Sequence, residues 1–221
     1  MLSVFKNNPV LAELDIFVTQ PDQQWLLVDS LITYTENILK KQPGYTASAI
    51  HRSFDGLRVI NYVQWQNQAD YDTYINNRDI ALATQITGFL APDSHLYEIF
   101  MSEPADSPMQ ITADEGQLIN FGIFKLKDPA NQPRFLEFTA EAIQQISGQS
   151  GLMTTHFHRS LDGARAINYG LWSSQQEYAK MNANPPMAEP LLQMRSLANN
   201  EFQMSLYEVV FTSVLSPAIF P

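Results

Sequence analysis

The sequence predicts an α+β protein: two β-α-β-β-α-β units, each the ferredoxin-like split βαβ pattern, packed sheet to sheet within one chain. Three observations predict it. His51 to Trp65 reads His-Arg-Ser-Phe-Asp-Gly-Leu-Arg-Val-Ile-Asn-Tyr-Val-Gln-Trp, and His158 to Trp172 reads His-Arg-Ser-Leu-Asp-Gly-Ala-Arg-Ala-Ile-Asn-Tyr-Gly-Leu-Trp; ten of the fifteen positions are identical at a constant offset of 107. Tyr71 and Tyr178 extend the match at the same offset. Leu96-Tyr97-Glu98 returns as Leu206-Tyr207-Glu208 at an offset of 110, so the second copy carries three extra residues between Trp172 and its last strand. Such a recurrence means two copies of one folding unit.

Taken in order, residues 1–10 read as an irregular lead-in. Ala12 to Thr19 is apolar and β-branched enough for a strand. Pro21 and Asp22 open a helix whose apolar face is Leu26, Leu27, Leu31, Ile32, Ile38 and Leu39, and Pro43-Gly44 stops it. Strands over Tyr45–Ser53 and Leu57–Trp65 follow, joined by a turn. Asn67 is placed to cap a second helical region running to about Thr87. Leu96 to Met101 is the last strand. Residues 103–116 are polar, contain Pro104 and Pro108, and read as a linker between a first domain, 1–102, and a second, 117–221. The second copy runs through a strand at Gln117–Leu126, a helix from Pro133 to Ser147, the repeated strand pair, and a helix opened by Ser174 and Glu177 as a capping box. That helix breaks at Asn184-Pro185-Pro186, and the tail from Ser213 is expected on the surface or against the other half.

Two helices cover only one face of a four-stranded sheet, so each unit leaves an apolar face in need of a partner. Packing the two open faces together makes an internal pseudo-dimer and explains why Ile60, Tyr62, Ile167 and Tyr169 are apolar or aromatic. Composition narrows the rest. A net charge of −10 and a pI near 4.7 make nucleic acid and anionic membrane surfaces poor partners. There is no cysteine, which removes disulfides, thiolate metal sites and cysteine nucleophiles. No apolar run approaches the roughly 18 residues of a membrane helix, and no basic-then-apolar leader opens the chain. A cytoplasmic protein is expected.

The repeated stretch also carries chemistry. Side chains alternate along a strand, so Asn61, Val63 and Trp65 share one face and Arg58, Ile60, Tyr62 and Gln64 the other. A three-residue loop at Phe54-Asp55-Gly56 would place His51 opposite Val59, on the Asn61/Trp65 face; a two- or four-residue loop would send it to the opposite face. Tyr71 lies on the first turn of the next helix. His158, Asn168, Trp172 and Tyr178 repeat the set. An imidazole can move protons near neutral pH, and a carboxamide and an indole N–H can donate to a developing oxyanion. The plainer alternative is that Trp and Tyr are core, Asp-Gly is turn geometry, and duplication preserved them all without function. His156 and His158, two apart on one strand, lack a third metal ligand at usable spacing, and His95 is expected to be exposed.

The strand-turn-strand element ending Asn-Tyr-x-x-Trp, with Tyr six residues past the Trp, resembles the antibiotic biosynthesis monooxygenase family of dimeric α+β barrels. The resemblance covers both halves, making this chain a fused tandem form. It is closest to members that oxidise anthrone-type polyketides to quinones with O2 and without metal or flavin. It implies that His51, Asn61, Trp65 and Tyr71, and His158, Asn168, Trp172 and Tyr178, line the catalytic pockets. It also implies a substrate-binding Arg, matched by Arg195 in the second half, where the first half has Gln85 with Arg78 nearby. The implied partner is a small aromatic substrate with O2 as co-substrate and no cofactor; beyond the intrachain pseudo-dimer there is room for a further homodimer. A non-catalytic barrel binding a small hydrophobic ligand is the alternative. A haem-degrading monooxygenase is third: Asn120 and Trp172 fit it, but neither half has a histidine between its Trp and its last strand.

Overall fold

The computed structural model describes residues 2–78, 91–105, 107–113, 115–146, 148, 150–183, 189–199 and 203–215. The first unit contains β2 (Leu11–Val18), α1 (Gln24–Asn37), β3 (Tyr45–Ser53), β4 (Arg58–Trp65), α2 (Gln68–Asn77) and β5 (Asp93–Glu103). The second contains β7 (Leu118–Lys125), α3 (Gln132–Ile146), β8 (Leu152–Ser160), β9 (Arg165–Trp172), α4 (Gln175–Ala183), α5 (Glu189–Leu197) and β10 (Gln203–Val214). Local chemistry sets the boundaries. Asn67 caps α2 by accepting from the Asp70 N–H at 2.9 Å, and Ser174 does the same for Glu177 at 3.2 Å. Gln24 and Gln132 each clamp their unit's hairpin, donating to the carbonyls of Ser53 and Arg58, and of Ser160 and Arg165.

The two sheets do more than face each other. They close edge to edge into one eight-stranded antiparallel barrel, in the order β10-β3-β4-β2-β5-β8-β9-β7. β5 pairs with β8, and β10 pairs with β3, so the last strand of each unit extends the other unit's sheet. Both seams contain a bulge, between Ile99 and Met101 and between Val209 and Phe211, where the strands bend to close. A matching ion pair lies at each seam, Arg159–Glu98 at 2.6 Å and Arg52–Glu208. Closure leaves neither sheet with a free edge, and Ser213 and Val214 lie against the other half as expected, as strand residues paired with Ser48 and Ala47.

The lead-in and the linker each contain a short strand: Leu2–Val4 (β1) pairs antiparallel with Met109–Ile111 (β6). Leu2, Val4, Met109 and Ile111 are at most 1% exposed and belong to the cluster that fills the barrel, so this ribbon buries apolar surface that a linker would leave wet.

The hairpin loop is a correction. Ser53 ends β3 and Arg58 begins β4, leaving four loop residues, Phe54 to Leu57. The Asp55 carboxylate accepts from the Ser53 hydroxyl (2.6 Å) and the Leu57 N–H (2.9 Å), which draws Leu57 into the turn. Gly56 takes the positive φ expected of it, 78°. One extra loop residue moves the register by one and flips the face: His51 sits opposite Ile60, and Ile50 opposite Asn61. The second hairpin repeats this, with His158 opposite Ile167. Both histidines therefore point into the barrel, away from Asn61, Trp65, Asn168 and Trp172.

Candidate active site

Inside the barrel the repeated histidines and tyrosines form a reciprocal pair. His51 Nδ1 donates to the Ile60 carbonyl (3.3 Å), leaving Nε2 to accept from the Tyr169 hydroxyl at 2.7 Å. His158 Nδ1 faces the His156 carbonyl (3.3 Å), and its Nε2 accepts from the Tyr62 hydroxyl at 3.3 Å. Each unit's histidine is thus satisfied by the other unit's tyrosine. Burial pushes both imidazoles down to about 3, so they are neutral. They hold the halves together and are not placed to act on a molecule bound under the helices. His156 also points inward, with Nδ1 2.8 Å from Ser102 Oγ; among the described residues no His/Cys/Asp/Glu group is arranged to hold a metal.

The helix-facing side of the first unit is different. In Ala-Glu-Leu-Asp-Ile, Ala12, Leu14 and Ile16 enter the barrel core, which turns Glu13 and Asp15 under the helices. Both are buried, at 1% and 8% exposure. Trp65 Nε1 donates to Glu13 Oε2 at 3.0 Å, and Asn61 Nδ2 donates to Asp15 Oδ2 at 3.2 Å. Glu13 Oε1 and Asn61 Oδ1 have no hydrogen-bond partner among the described residues. Aromatic walls close round them: Tyr74 stacks on Trp65 at 4.8 Å, Tyr71 meets its edge at 6.0 Å, and Tyr34 shares a 2.9 Å hydroxyl contact with Tyr74. Burial, then the Asp15 charge, raises the Glu13 carboxyl well above the usual range, against the Trp65 bond and the Arg78 charge. Burial likewise raises Asp15, against bonds from Ser94 and Asn61. The arrangement offers a proton acceptor, a carboxamide and an indole beside flat aromatic faces.

The second unit keeps the shape and loses the charge. Asn120 stands where the first unit has Glu13, and Gly122 where it has Asp15. Asn168 Nδ2 donates to Asn120 Oδ1 (3.1 Å), Asn120 Nδ2 donates to the Tyr178 hydroxyl (3.2 Å), and Thr155 Oγ1 donates to Asn168 Oδ1. Trp172 meets the edge of Tyr178 at 5.3 Å, and its buried Nε1 has no partner among the described residues.

Of the residues singled out in the sequence, Asn61, Trp65 and Tyr71 converge, as do Asn168, Trp172 and Tyr178; His51 and His158 do not join them. Arg195 is exposed on α5, whose buried residues are Pro190 and Met194. Gln85 lies outside the described residues. His95 is half-buried rather than exposed, between Asp93 and Asp162. The residues missed were Glu13 and Asp15. Two acids two apart in a strand whose intervening residues are apolar put both on one face, and Trp65 and Asn61 on the neighbouring strand were the signal that this face is covered.

No protein-family model matches the sequence. Over 71 residues, 32% of this chain, the sequence is 31% identical to tetracenomycin-F1 monooxygenase of Streptomyces glaucescens, and it spans 63% of that protein's length, a little under two thirds. Across 96% of both chains the fold matches an anthrone oxidase-like protein with a TM-score of 0.78 at 17% identity. It also matches a proposed monooxygenase of Fusobacterium nucleatum (TM-score 0.60, 8% identity, 94% of this chain and 95% of that one). A major regulator of staphylococcal pathogenesis shares the fold too (TM-score 0.52, 6% identity, 90% and 99%), so the architecture alone does not fix the activity. With its two repeated units and its closed barrel, the chain shares the fold of these structures, a dimeric α+β barrel formed within one chain.

Proposed function

We propose that the protein is a cofactor-independent monooxygenase that uses O2 to oxidise an electron-rich aromatic of the anthrone or phenol class to a quinone. The observation that carries this reading is the cluster under the first unit's helices, where Trp65, Tyr71 and Tyr74 pack beside Asn61 and two buried carboxylates. Kinship with a protein named for oxidising tetracenomycin F1 supports the substrate class.

The reaction asks little of a protein. An anthrone loses a proton from its methylene carbon to give an enolate, which is itself able to reduce O2. Recombination at that carbon gives a peroxide. Loss of the second C–H proton with departure of hydroxide leaves the quinone carbonyl; one O2 is consumed, one oxygen enters the quinone and the other leaves as water. The pocket contributes orientation between aromatic faces and exclusion of water. A hydrogen bond from Asn61 stabilises the enolate oxygen once substrate competes for it with Asp15.

Metal-stripped protein incubated with anthrone in air should consume O2 and form quinone in a one-to-one ratio, and form none under nitrogen. Absence of oxygen-dependent product at high enzyme concentration would refute the reading. The rival, a non-catalytic barrel that binds a flat hydrophobic ligand, is favoured only in the second unit, where the polar groups are neutral and bonded to one another. It predicts anthrone binding, read by tryptophan quenching, without turnover.

A further inference from the structure

We infer that Glu13 is the general base of the reaction, and that the first unit, the one that carries it, is the half that turns over. The inference rests on the monooxygenase reading and names the group that reading requires. Sequence logic offers His51 and His158 for the proton, but both lie in the barrel, each bonded to the opposite unit's tyrosine. Under the helices, the described groups facing Glu13 are Asp15 on its own strand, Trp65 on β4, Tyr34 on α1, and Tyr71, Tyr74 and Arg78 on or just past α2.

Glu13 is the group among these built to take a proton from carbon. One carboxylate oxygen, Oε2, is held by the Trp65 indole at 3.0 Å, which fixes the side chain. The other, Oε1, is buried and carries no partner among the described residues. Asp15 Oδ1, and Asn61 Oδ1 on a side chain 2% exposed, are likewise buried and unpartnered on the same face. Three orphaned oxygens on neighbouring strands beneath an aromatic wall are what a bound ligand's polar hydrogens would satisfy. Desolvation makes the carboxylate a stronger base than in water, closer to the acidity of an anthrone C–H. The step balances simply: a methylene C–H bond breaks, its electron pair stays on carbon as the enolate, and the proton passes to Glu13 Oε1. Collapse of the peroxide then needs the second proton of the same carbon removed, so the base is needed again in each turnover after it releases the first. In the second unit Asn120 and Gly122 replace the two acids, and an amide cannot accept that proton.

The test uses the full-length chain and anthrone in air, with kcat and KM followed from pH 4 to 9. Wild type should lose kcat/KM as pH falls through the raised carboxyl, because a protonated Glu13 accepts nothing. Glu13→Gln preserves the side-chain shape; it should lower kcat at least 100-fold, leave KM within about threefold, and abolish that acid limb. Asp15→Asn removes the neighbouring charge that raises Glu13, and should move the limb to lower pH; a Glu13 that serves only packing would not show this. Turnover by Glu13→Gln near the wild-type rate, or an acid limb unmoved by both substitutions, overturns the assignment while leaving the monooxygenase reading intact. Failure of wild type to oxidise anthrone overturns both. If Glu13→Gln proves unfolded by circular dichroism, the limb of Asp15→Asn decides.

Discussion

The two units share a motif, yet their helix-facing sites have opposite electrostatic character. Under the first pair of helices lie two carboxylates and an indole whose N–H is bonded to one of them. Under the second lie two carboxamides and a phenol bonded in series, with an indole N–H left over. On the barrel side the units are alike, His51 meeting Tyr169 as His158 meets Tyr62, and on the outer face of the seams Arg52 meets Glu208 as Arg159 meets Glu98. The difference teaches where duplication constrains a chain. A barrel-facing residue is bonded to the other unit, so neither copy can change alone. The helix-facing site residues bond within their own unit, so the two copies can differ there.

The sharpest way to break this comparison is to remove the same side chain from both halves. Asn61→Ala should lower kcat for anthrone oxidation by about 100-fold, the usual cost of one preorganised oxyanion donor. Asn168→Ala, at the matching position, should cost less than about fivefold. Oxygen uptake under saturating substrate measures both. Equal losses would mean that the two pockets work alike and that the difference in charge has no catalytic meaning.

Stability should show the opposite pattern, symmetry. Tyr169→Phe strips the hydroxyl from His51 Nε2, and Tyr62→Phe strips it from His158 Nε2, each leaving a buried acceptor unsatisfied. Each should destabilise by about 1–3 kcal/mol, and by similar amounts, as read from urea unfolding midpoints at constant slope. A large loss from one and none from the other would show that the reciprocal pairing is not the joint described here.

Much of this was legible in the residues and one part was not. The repeat at an offset of 107 fixes two units, and the strand and helix order fixes their ferredoxin-like form. Gly56 and Gly163 sit at φ 78° as a tight turn requires. The face of His51 was not legible, because it depends on whether Leu57 belongs to the loop or to the strand. The side-chain bonds of Asp55 decide that, and a strand-forming Leu gives no sign of it. Nor does local pattern reveal the pairing of β1 with β6, two three-residue strands brought together from residues more than a hundred apart. Such contacts gain their stability from the barrel end they cover rather than from their own sequence. Glu13 and Asp15 were visible as an alternation, but their meaning needed Trp65 and Asn61 opposite them.

The smallest expected effect concerns the seams, where the symmetry is incomplete. The β5–β8 seam carries a cluster that the other lacks: His95 Nδ1 lies 2.6 Å from Asp162, its Nε2 lies 3.0 Å from Asp93, and Arg165 also reaches Asp93. At the other seam the residue matching His95, at the offset of 110, is Ser205. A carboxylate at each ring nitrogen favours the imidazolium of His95: the Asp93 bond, then Asp162, raises it above its ordinary value against burial. Asp93 is lowered, first by its bond to His95. A group whose folded value is raised stabilises fully below its unfolded value near 6.5 and loses that contribution as pH rises through the folded one. The lowered Asp93 contributes above its unfolded value near 3.8 and loses that contribution as pH falls through its folded one. The cluster therefore favours the fold most between those limits, and because it is half exposed, solvent screening holds it to about 0.2–1 kcal/mol. His95→Asn should lower the urea midpoint slightly at pH 6 and leave it unchanged at pH 9, with the pH 6 difference shrinking in high salt. A loss of the same size at both pH values would mean that His95 serves the seam by packing, and that the seams differ in shape rather than in charge.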